Sequence, residues 1–385
     1  MSVEINPVLS RRELRTFVLL PRRIHLGHEN WVPPIYRDDQ RFFDQRKNRA
    51  FEESAAVLAL AFKGKKPVGR IMGIINHRYN RYRNEKNARF GFLECPNDQE
   101  VAHALLHYVE DWAWREAMDK IVGPMGFSDQ DLEGYLIEGF DQPPALASYC
   151  NEEYIIRLLE AEGYEKEVDY VVYKIDLAQE IPESYKRICQ RLSRRHEYRL
   201  LEFQRKKQLR PFILPVFELM NSCFKDIYGY LPLDRKEMMT LAKRYLPLID
   251  PRFIKIVVKD GDVVGFIIGL PNLSEGIRRA RGRLFPTGII KILRSAKKTK
   301  QLDLLLGGIR EDCRDRGLDA LMGCRTIEEA REAGFEYIDS HHELETNLKM
   351  RAEMERLGGQ IYKRFRIYRK SLAGREDHRE KGKTR

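Results

Sequence analysis

The 385-residue sequence has no uninterrupted apolar run of about 20 residues, the length a helix needs to span a bilayer. Its opening stretch, Met1 to Arg15, becomes charged within a few positions, so no secretory signal is expected and the expected location is the cytoplasm. The cysteines Cys95, Cys150, Cys189, Cys223, Cys313 and Cys324 show no C-x-x-C spacing, which argues against a zinc knuckle or a redox pair and leaves reduced structural thiols. No H-x-x-x-H pair accompanies His341, Glu343 and Glu345, so a metal site there is not expected. Asp129, Asp131 and Glu133 lack the glycine and terminal glutamate of a calcium loop, so no metal is expected. An aromatic-basic RNA-recognition motif is also missing, which makes nucleic acid the less expected partner despite the charge.

What is present begins with that charge, +11 at neutral pH, which favours an acidic partner such as an anionic lipid or a phosphorylated small molecule. A hydrophobic content of 43% over this length supports two cored domains rather than one. The tail 373–385 is charged or small throughout and is expected to be disordered.

The chain repeats itself. Phe62 to Asn76 is echoed by Val258 to Asn272, each reading as strand, polar turn, Val-Gly, strand, with Val68 and Val264 offset by 196 positions. Leu159 to Lys174 is echoed by Glu355 to Lys370, with Tyr173 and Tyr368 offset by 195. Two echoes at nearly one offset point to an internal duplication. Alternating strands and helices make each half an α/β (α+β) unit. In the first half Asn97 is the expected helix cap with Glu100 at the capping-box position, and Val101, Leu105, Tyr108 and Trp112 share a helical face. The domains are drawn at 1–178 and 179–372, with the boundary near Pro182.

Only the second half carries an anion-site pattern. Leu304 to Ile309 is an apolar run broken by Gly307 and Gly308, and a basic turn with Arg314, Arg316 and Gly317 follows. A helix with Leu318, Leu321 and Met322 on its apolar side comes next. Unpaired N–H groups and the positive end of a helix dipole then face a ligand together, and a phosphate-bearing cofactor is expected. The first half runs from Phe90-Gly91-Phe92-Leu93 directly into its capped helix, with no such turn.

The stretch Arg314-Asp315-Arg316-Gly317-Leu318-Asp319 resembles the Arg/Gln-x-x-Gly-x-Gly/Ala pyrophosphate loop of the GNAT acyltransferases, except that Asp319 stands at the second small position. A carboxylate there is repelled by a pyrophosphate unless it points away. Asn347 to Met350, Leu357-Gly358-Gly359 and Tyr362 to Tyr368 resemble that family's last helix and closing strands. Gly123 to Ser128 and Glu138 to Pro144 resemble stretches of a bacterial subgroup of the same superfamily, or are simply turns. The resemblance implies two tandem GNAT-like domains, each a mixed twisted sheet flanked by helices. It also implies transfer of an acyl group from acetyl-CoA or a longer acyl-CoA to a primary amine, with the cofactor in the second domain.

Such a transfer needs an oxyanion donor, for which Gly308 or Ile309 is positioned, and a base for the amine proton. Ser340 to Thr346 reads as a strand whose alternation puts His341, Glu343 and Glu345 on one face, with Glu343 or Glu345 the preferred base; a solvated strand face is the plain alternative. By the resemblance, Asn347 orients the acyl-donor arm. Also by the resemblance, Met354 stands where the family often carries its proton-donating tyrosine, with Tyr362 the nearest replacement. A thioether donates no proton, so a degenerate, non-catalytic binding module is the competing reading. The segment 276–300 holds nine basic and no acidic residues among apolar ones. It is read either as a peripheral contact with an anionic membrane or as a lid over the cofactor. In the membrane version the acceptor is a lipid amine of the sphingoid-base type.

Overall fold

The computed structural model describes residues 2–194 and 197–373, so the tail expected to be disordered lies, beyond its first residue, outside the described residues. The chain divides into two compact units: unit 1 is Met1–Asp141, Ala147–Asp169 and Phe365–Arg385, and unit 2 is Gln142–Leu146 and Tyr170–Arg364. The expected domains are contiguous runs, whereas these units interleave in sequence. The reason is that the closing strand of each repeat pairs inside the other unit.

Unit 1 uses β1 (Val3–Pro7), β2 (Ser54–Lys63), β3 (Lys66–Asn76), β4 (Asn87–Glu94), β5 (Lys120–Gly123), β6 (Tyr135–Glu138) and the first residues of β7 (Glu165–Asp176). Unit 2 uses the rest of β7, then β8 (Arg199–Glu202), β9 (Ile254–Lys259), β10 (Asp262–Pro271), β11 (Gln301–Ile309), β12 (Tyr337–Asp339), β13 (Glu343–Leu344) and the start of β14 (Gln360–Ser371). The order in unit 1 is β1-β2-β3-β4-β5-β14, and in unit 2 it is β7-β12-β11-β10-β9-β8. Strands β4 and β5 pair in parallel over Asn87–Arg89, and β11 and β12 pair in parallel over Gln301–Asp303. The other registered pairs in both units are antiparallel.

The duplicated Val-Gly has a packing cause. A Cβ on Gly69 would lie 2.8 Å from Leu105 Cδ1 and one on Gly73 would lie 2.7 Å from Val109 Cγ1, so these glycines let the helix Gln99–Arg115 settle on β3. In unit 2 the same closeness recurs where a Cβ on Gly265 would meet Met322 Cε at 3.2 Å. The hairpin between β9 and β10 turns at Asp260 (φ 52°) and Gly261 (φ 93°), a residue pair suited to a two-residue loop.

The unit 1 helix is capped by Asp98 rather than Asn97. Its first turn starts one residue later than expected, and Asp98, held by Lys63 at 2.6 Å, accepts the Val101 N–H at 3.3 Å. Val101, Leu105 and Val109 are fully buried, with Tyr108 and Trp112 packed partly buried beside them. The unit 2 counterpart, Leu318–Glu332, buries Leu318, Leu321 and Met322 as its pattern requires. Among the described residues no helix is long and apolar enough to cross a membrane.

Candidate active site

The site is created by the end of a strand pairing. Beyond Asp303, β11 continues to Ile309 with β10 on one side, while β12 no longer pairs with it on the other. Leu305 bulges out of the β10 ladder, because Ile268 pairs with Leu306 and Gly269 with Leu304. A bulge twists and re-aims a strand, and here the free edge of β11 forms one wall of a wedge. The wedge encloses about 80 Å³ and is lined mainly by apolar groups, including Leu304, Ile338, Met350, Met354 and Leu357, with Asp319 and Glu353 as its carboxylates. Among the described residues no side chain bonds the backbone of Leu304–Gly308.

The expected anion loop closes one end. Arg310 N–H donates to Val264 O at 2.8 Å and a short 3₁₀ turn follows at Glu311–Cys313. Arg314 Nε then donates to Ile309 O at 3.2 Å, and Arg316 Nε to Asp312 O at 3.3 Å. Gly317, at φ 84°, caps the helix that follows. A Cβ on it would also lie 2.5 Å from Ile188 Cγ2, so both conformation and space require glycine. The helix begins at Leu318 with no side-chain cap, which leaves its first N–H groups for a ligand. Asp319 does not point away, since it contributes to the wedge lining. Gly307, Gly308 and Ile309 all pair with β10, and of the three Gly308 and Ile309 line the wedge.

The expected strand 340–346 is interrupted. Asp339 pairs with Lys174 of β7 and Glu343 pairs with Val171, so four steps on one strand match three on the other. The extra residue is absorbed at His341, which sits at φ 59°. Side chains hold this bulge: Asp339 Oδ1 accepts the His341 N–H at 2.7 Å, and Ser340 Oγ accepts the Tyr173 N–H at 2.9 Å. The shared face of His341, Glu343 and Glu345 therefore does not form. Alternation on β7 instead puts Glu343, opposite Val171, on the face of Ile175 and Ile338, both of which line the wedge. Since β12 and β13 run in the direction of β11, Glu343 lies further along the wedge than the last parallel pair.

Glu343 is half-buried, and burial pushes its carboxyl up to about 8. Glu345 offers its carbonyl to Arg351 Nη1 at 2.9 Å. Asn347 caps the helix Leu348–Arg356, accepting the Met350 N–H at 3.4 Å. Glu353 on that helix was not singled out by the sequence. It accepts the Tyr185 hydroxyl at 2.5 Å, and burial raises its carboxyl above the usual range, with Asp319 adding to the effect. The signal that was legible is its place beside Met354.

His341 and Tyr362 are committed elsewhere. Asp303 and Asp339, paired across β11 and β12, are both fully buried in a polar network. Asp303 accepts from Gln301 Nε2 at 2.7 Å, Asn272 Nδ2 at 3.0 Å and Leu146 N at 3.3 Å. Asp339 binds Lys363 Nζ at 2.9 Å and accepts the Tyr362 hydroxyl. Lys363 also reaches Pro143 O at 3.1 Å, and Asn272 and Ser274 both reach Pro144 O. His341 Nε2 bonds Leu146 O at 2.9 Å, and burial lowers its pKa. The network thus pins the strap Gln142–Leu146 by its carbonyls. This gives the Glu138–Pro144 stretch a structural role and removes His341 from the candidate bases. Tyr362, whose pKa burial raises, is likewise held as a donor to Asp339.

No family model matches the chain. A bacterial ceramide synthase of Caulobacter vibrioides is 29% identical over 378 residues, covering 96% of this chain and 98% of that protein. Protein YghO of Escherichia coli is 26% identical over 379 residues, covering 96% and 95%. A tandem GNAT protein from the clavulanic acid biosynthesis pathway matches with a TM-score of 0.57 at 14% identity, over 98% of this chain and 100% of its own. The chain has the tandem GNAT fold.

The two GNAT units are not equivalent. In unit 1 the parallel pair β4–β5 also ends after three residues, yet the chain closes the gap itself. Met125 N–H continues onto Phe90 O at 2.9 Å, and Arg89 reaches Gly126 O and Phe127 O. Phe92 N–H donates to the Tyr149 hydroxyl at 3.1 Å, while the hydroxyls of Tyr135 and Tyr154 donate to Leu93 O and Cys95 O, each at 2.7 Å. The Gly123–Ser128 stretch is therefore a plug along β4. The edge groups that unit 2 leaves free are satisfied in unit 1 by its own side chains.

Proposed function

We propose that the chain is an acyl-CoA-dependent N-acyltransferase whose thioester enters the wedge of unit 2. The observation that carries this is the wedge itself, open along β11 and ended by a helix N-terminus, while the matching edge of unit 1 is filled. The groups present fit an acyl-CoA. Arg314, Arg316, Gly317 and Leu318 would hold the phosphates, kept to that side by the Asp319 carboxylate. The free edge of β11 would take the amide groups of the pantetheine arm, and Met350, Met354 and Leu357 would cover its apolar part. The enzyme needs no metal for this chemistry.

The amine nitrogen attacks the thioester carbon, and the backbone N–H of Gly308 or Ile309 holds the oxygen as charge develops on it. Glu343 takes the amine proton; a carboxyl near 8 is well matched to a base that works near neutral pH. Glu345, just past the end of β13, stays a weaker candidate. As the C–S bond breaks, the thiolate takes a proton from Glu353, which does the work of the tyrosine that Met354 replaces. Asn347 fixes the start of the helix that carries Glu353 and so positions the acyl-donor arm through it.

The acceptor we favour is a long-chain lipid amine. The support is the name of the Caulobacter relative, similar over nearly the whole of both chains, together with the apolar wedge. Calorimetric titration with acetyl-CoA and palmitoyl-CoA, followed by thiol release in the presence of a sphingoid base or a small amine, tests the proposal. Palmitoyl-CoA binding weakened in Arg314→Glu, with thiol release only when the sphingoid base is added, is the expected result. Thiol release with small amines and acetyl-CoA alone would limit the proposal to short acyl transfer, and binding without any thiol release would favour the degenerate module.

A further inference from the structure

The segment 276–300 folds as two short helices, Ser274–Ala280 and Gly288–Ala296, joined by a loop. The second packs onto the first by a single stripe. Gly288, Ile292 and Ser295 are buried, and a Cβ on Gly276 would lie 2.7 Å from Ile292 Cα. The rest of its circumference is exposed in two bands. At 100° per residue, Ile289 and Leu293 follow next to the buried stripe, Lys297 and Ile290 come next at the boundary, and Arg294, Lys298 and Lys291 continue around the other side. Phe285, in the loop, is 65% exposed; Ile289, Ile290 and Leu293 are 40%, 51% and 49% exposed. Half of the large exposed hydrophobic side chains among the described residues thus fall within nine consecutive residues, a clustering that a soluble surface does not need.

Charge decides what covers them. Arg278 and Arg279 are paired with Glu275, and Lys300 with Glu336. Arg281, Arg283, Lys291, Arg294, Lys297 and Lys298 have no carboxylate partner among the described residues. A lid packed over a cofactor would bury Ile289, Ile290 and Leu293 against the wedge, but none of the three contributes to its lining. An apolar stripe edged by unpaired cations is the arrangement of a helix lying in the plane of a bilayer, with its side chains among the acyl chains and its cations among lipid phosphates. We propose that Gly288–Ala296, with Phe285, is a docking surface for a membrane rich in anionic phospholipid. The docking does not depend on acyl transfer, so the two proposals fail separately.

The test is co-sedimentation of the full chain with vesicles of phosphatidylcholine alone and with vesicles of phosphatidylcholine and phosphatidylglycerol in about equal parts. The wild type is expected to bind only the mixed vesicles, and to lose binding as salt is raised. Each cation removed from the surface, as in Lys291→Gln or Arg294→Gln, is expected to weaken binding about fivefold. The triple change Phe285→Ser, Ile290→Ser and Leu293→Ser is expected to abolish it with an unchanged circular dichroism spectrum, because the altered side chains are solvent-exposed. Full binding by that variant would overturn the docking helix in favour of a purely electrostatic contact. Equal binding of wild type to an acidic carrier protein or to DNA, without vesicle binding, would overturn the membrane as the partner.

Discussion

Phe92 donates its backbone N–H to the Tyr149 hydroxyl at 3.1 Å, on the unit 1 strand edge whose unit 2 equivalent faces an open wedge. Both groups are buried, so the bond replaces the strand neighbour that β4 lacks there. Tyr149→Phe strands that N–H in a dry site and should cost about 1–3 kcal/mol. Thermal unfolding is expected to show the loss, with acyl-CoA titration unchanged because the proposed ligand site lies in unit 2. Weakened acyl-CoA binding in this variant would mean that unit 1 also holds cofactor.

Glu343→Gln should lower kcat by about 10²–10⁴-fold while leaving acyl-CoA affinity near wild type, as expected for loss of a proton acceptor. In the wild type, kcat/KM should rise with pH and level off above about 8. The same group affects stability. Its folded pKa lies above the ordinary value, so the folded state binds the extra proton and stability falls as pH rises through about 8. Glu343→Gln should therefore be more stable than wild type at pH 9 and lose that advantage below about pH 4. Denaturant titration at both pH values measures the difference.

Asp303 and Asp339 should respond differently to the same change. Burial and the neighbouring Asp339 charge push Asp303 up to about 7. Burial also acts to raise Asp339, but the Lys363 ammonium and the Tyr362 hydroxyl together outweigh it and hold that carboxyl below its usual range. Asp303→Asn is expected to be nearly neutral below about pH 4 and more stable than wild type above about pH 7, because it removes the stability lost as pH rises through about 7. Asp339→Asn leaves Lys363 buried without its counter-charge and should cost about 3–5 kcal/mol. Comparable losses in both variants would show that the pair shares its charge rather than dividing it.

Gly317→Ala combines a left-handed φ with a Cβ placed 2.5 Å from Ile188 Cγ2, and should cost about 1–3 kcal/mol. It should also weaken acyl-CoA binding by distorting the helix start. Adding Ile188→Ala relieves the clash but not the backbone strain, so partial recovery of stability is expected. Full recovery would mean that space alone selects glycine here.

The repeated Val-Gly, the basic turn before Leu318 and the acid-free 276–300 segment are local patterns, and each was legible within a few residues: a repeated dipeptide, a helix start, a row of like charges. The duplicated strand-and-helix order followed from them. The faces of the residues around the proposed base were harder to read. A strict alternation from Ser340 put His341 with Glu343, and one extra residue, taken up at His341, reversed that assignment. Nothing in the residue types announces a bulge held by Ser340 Oγ and Asp339 Oδ1, because it depends on Tyr173 and Lys363, which lie far away in sequence.

By itself the sequence determined the two α/β repeats and the repeated glycines of β3 and β10, since these rest on a local pattern written twice and on periodic burial. The tertiary structure alone decided which unit keeps an open wedge, which strand completes which sheet and which face of its strand Glu343 takes. Those outcomes depend on hydrogen bonds between distant residues, such as Phe92 with Tyr149 and Glu353 with Tyr185. A buried polar group takes whichever partner the fold brings within reach, and linear order does not specify that partner.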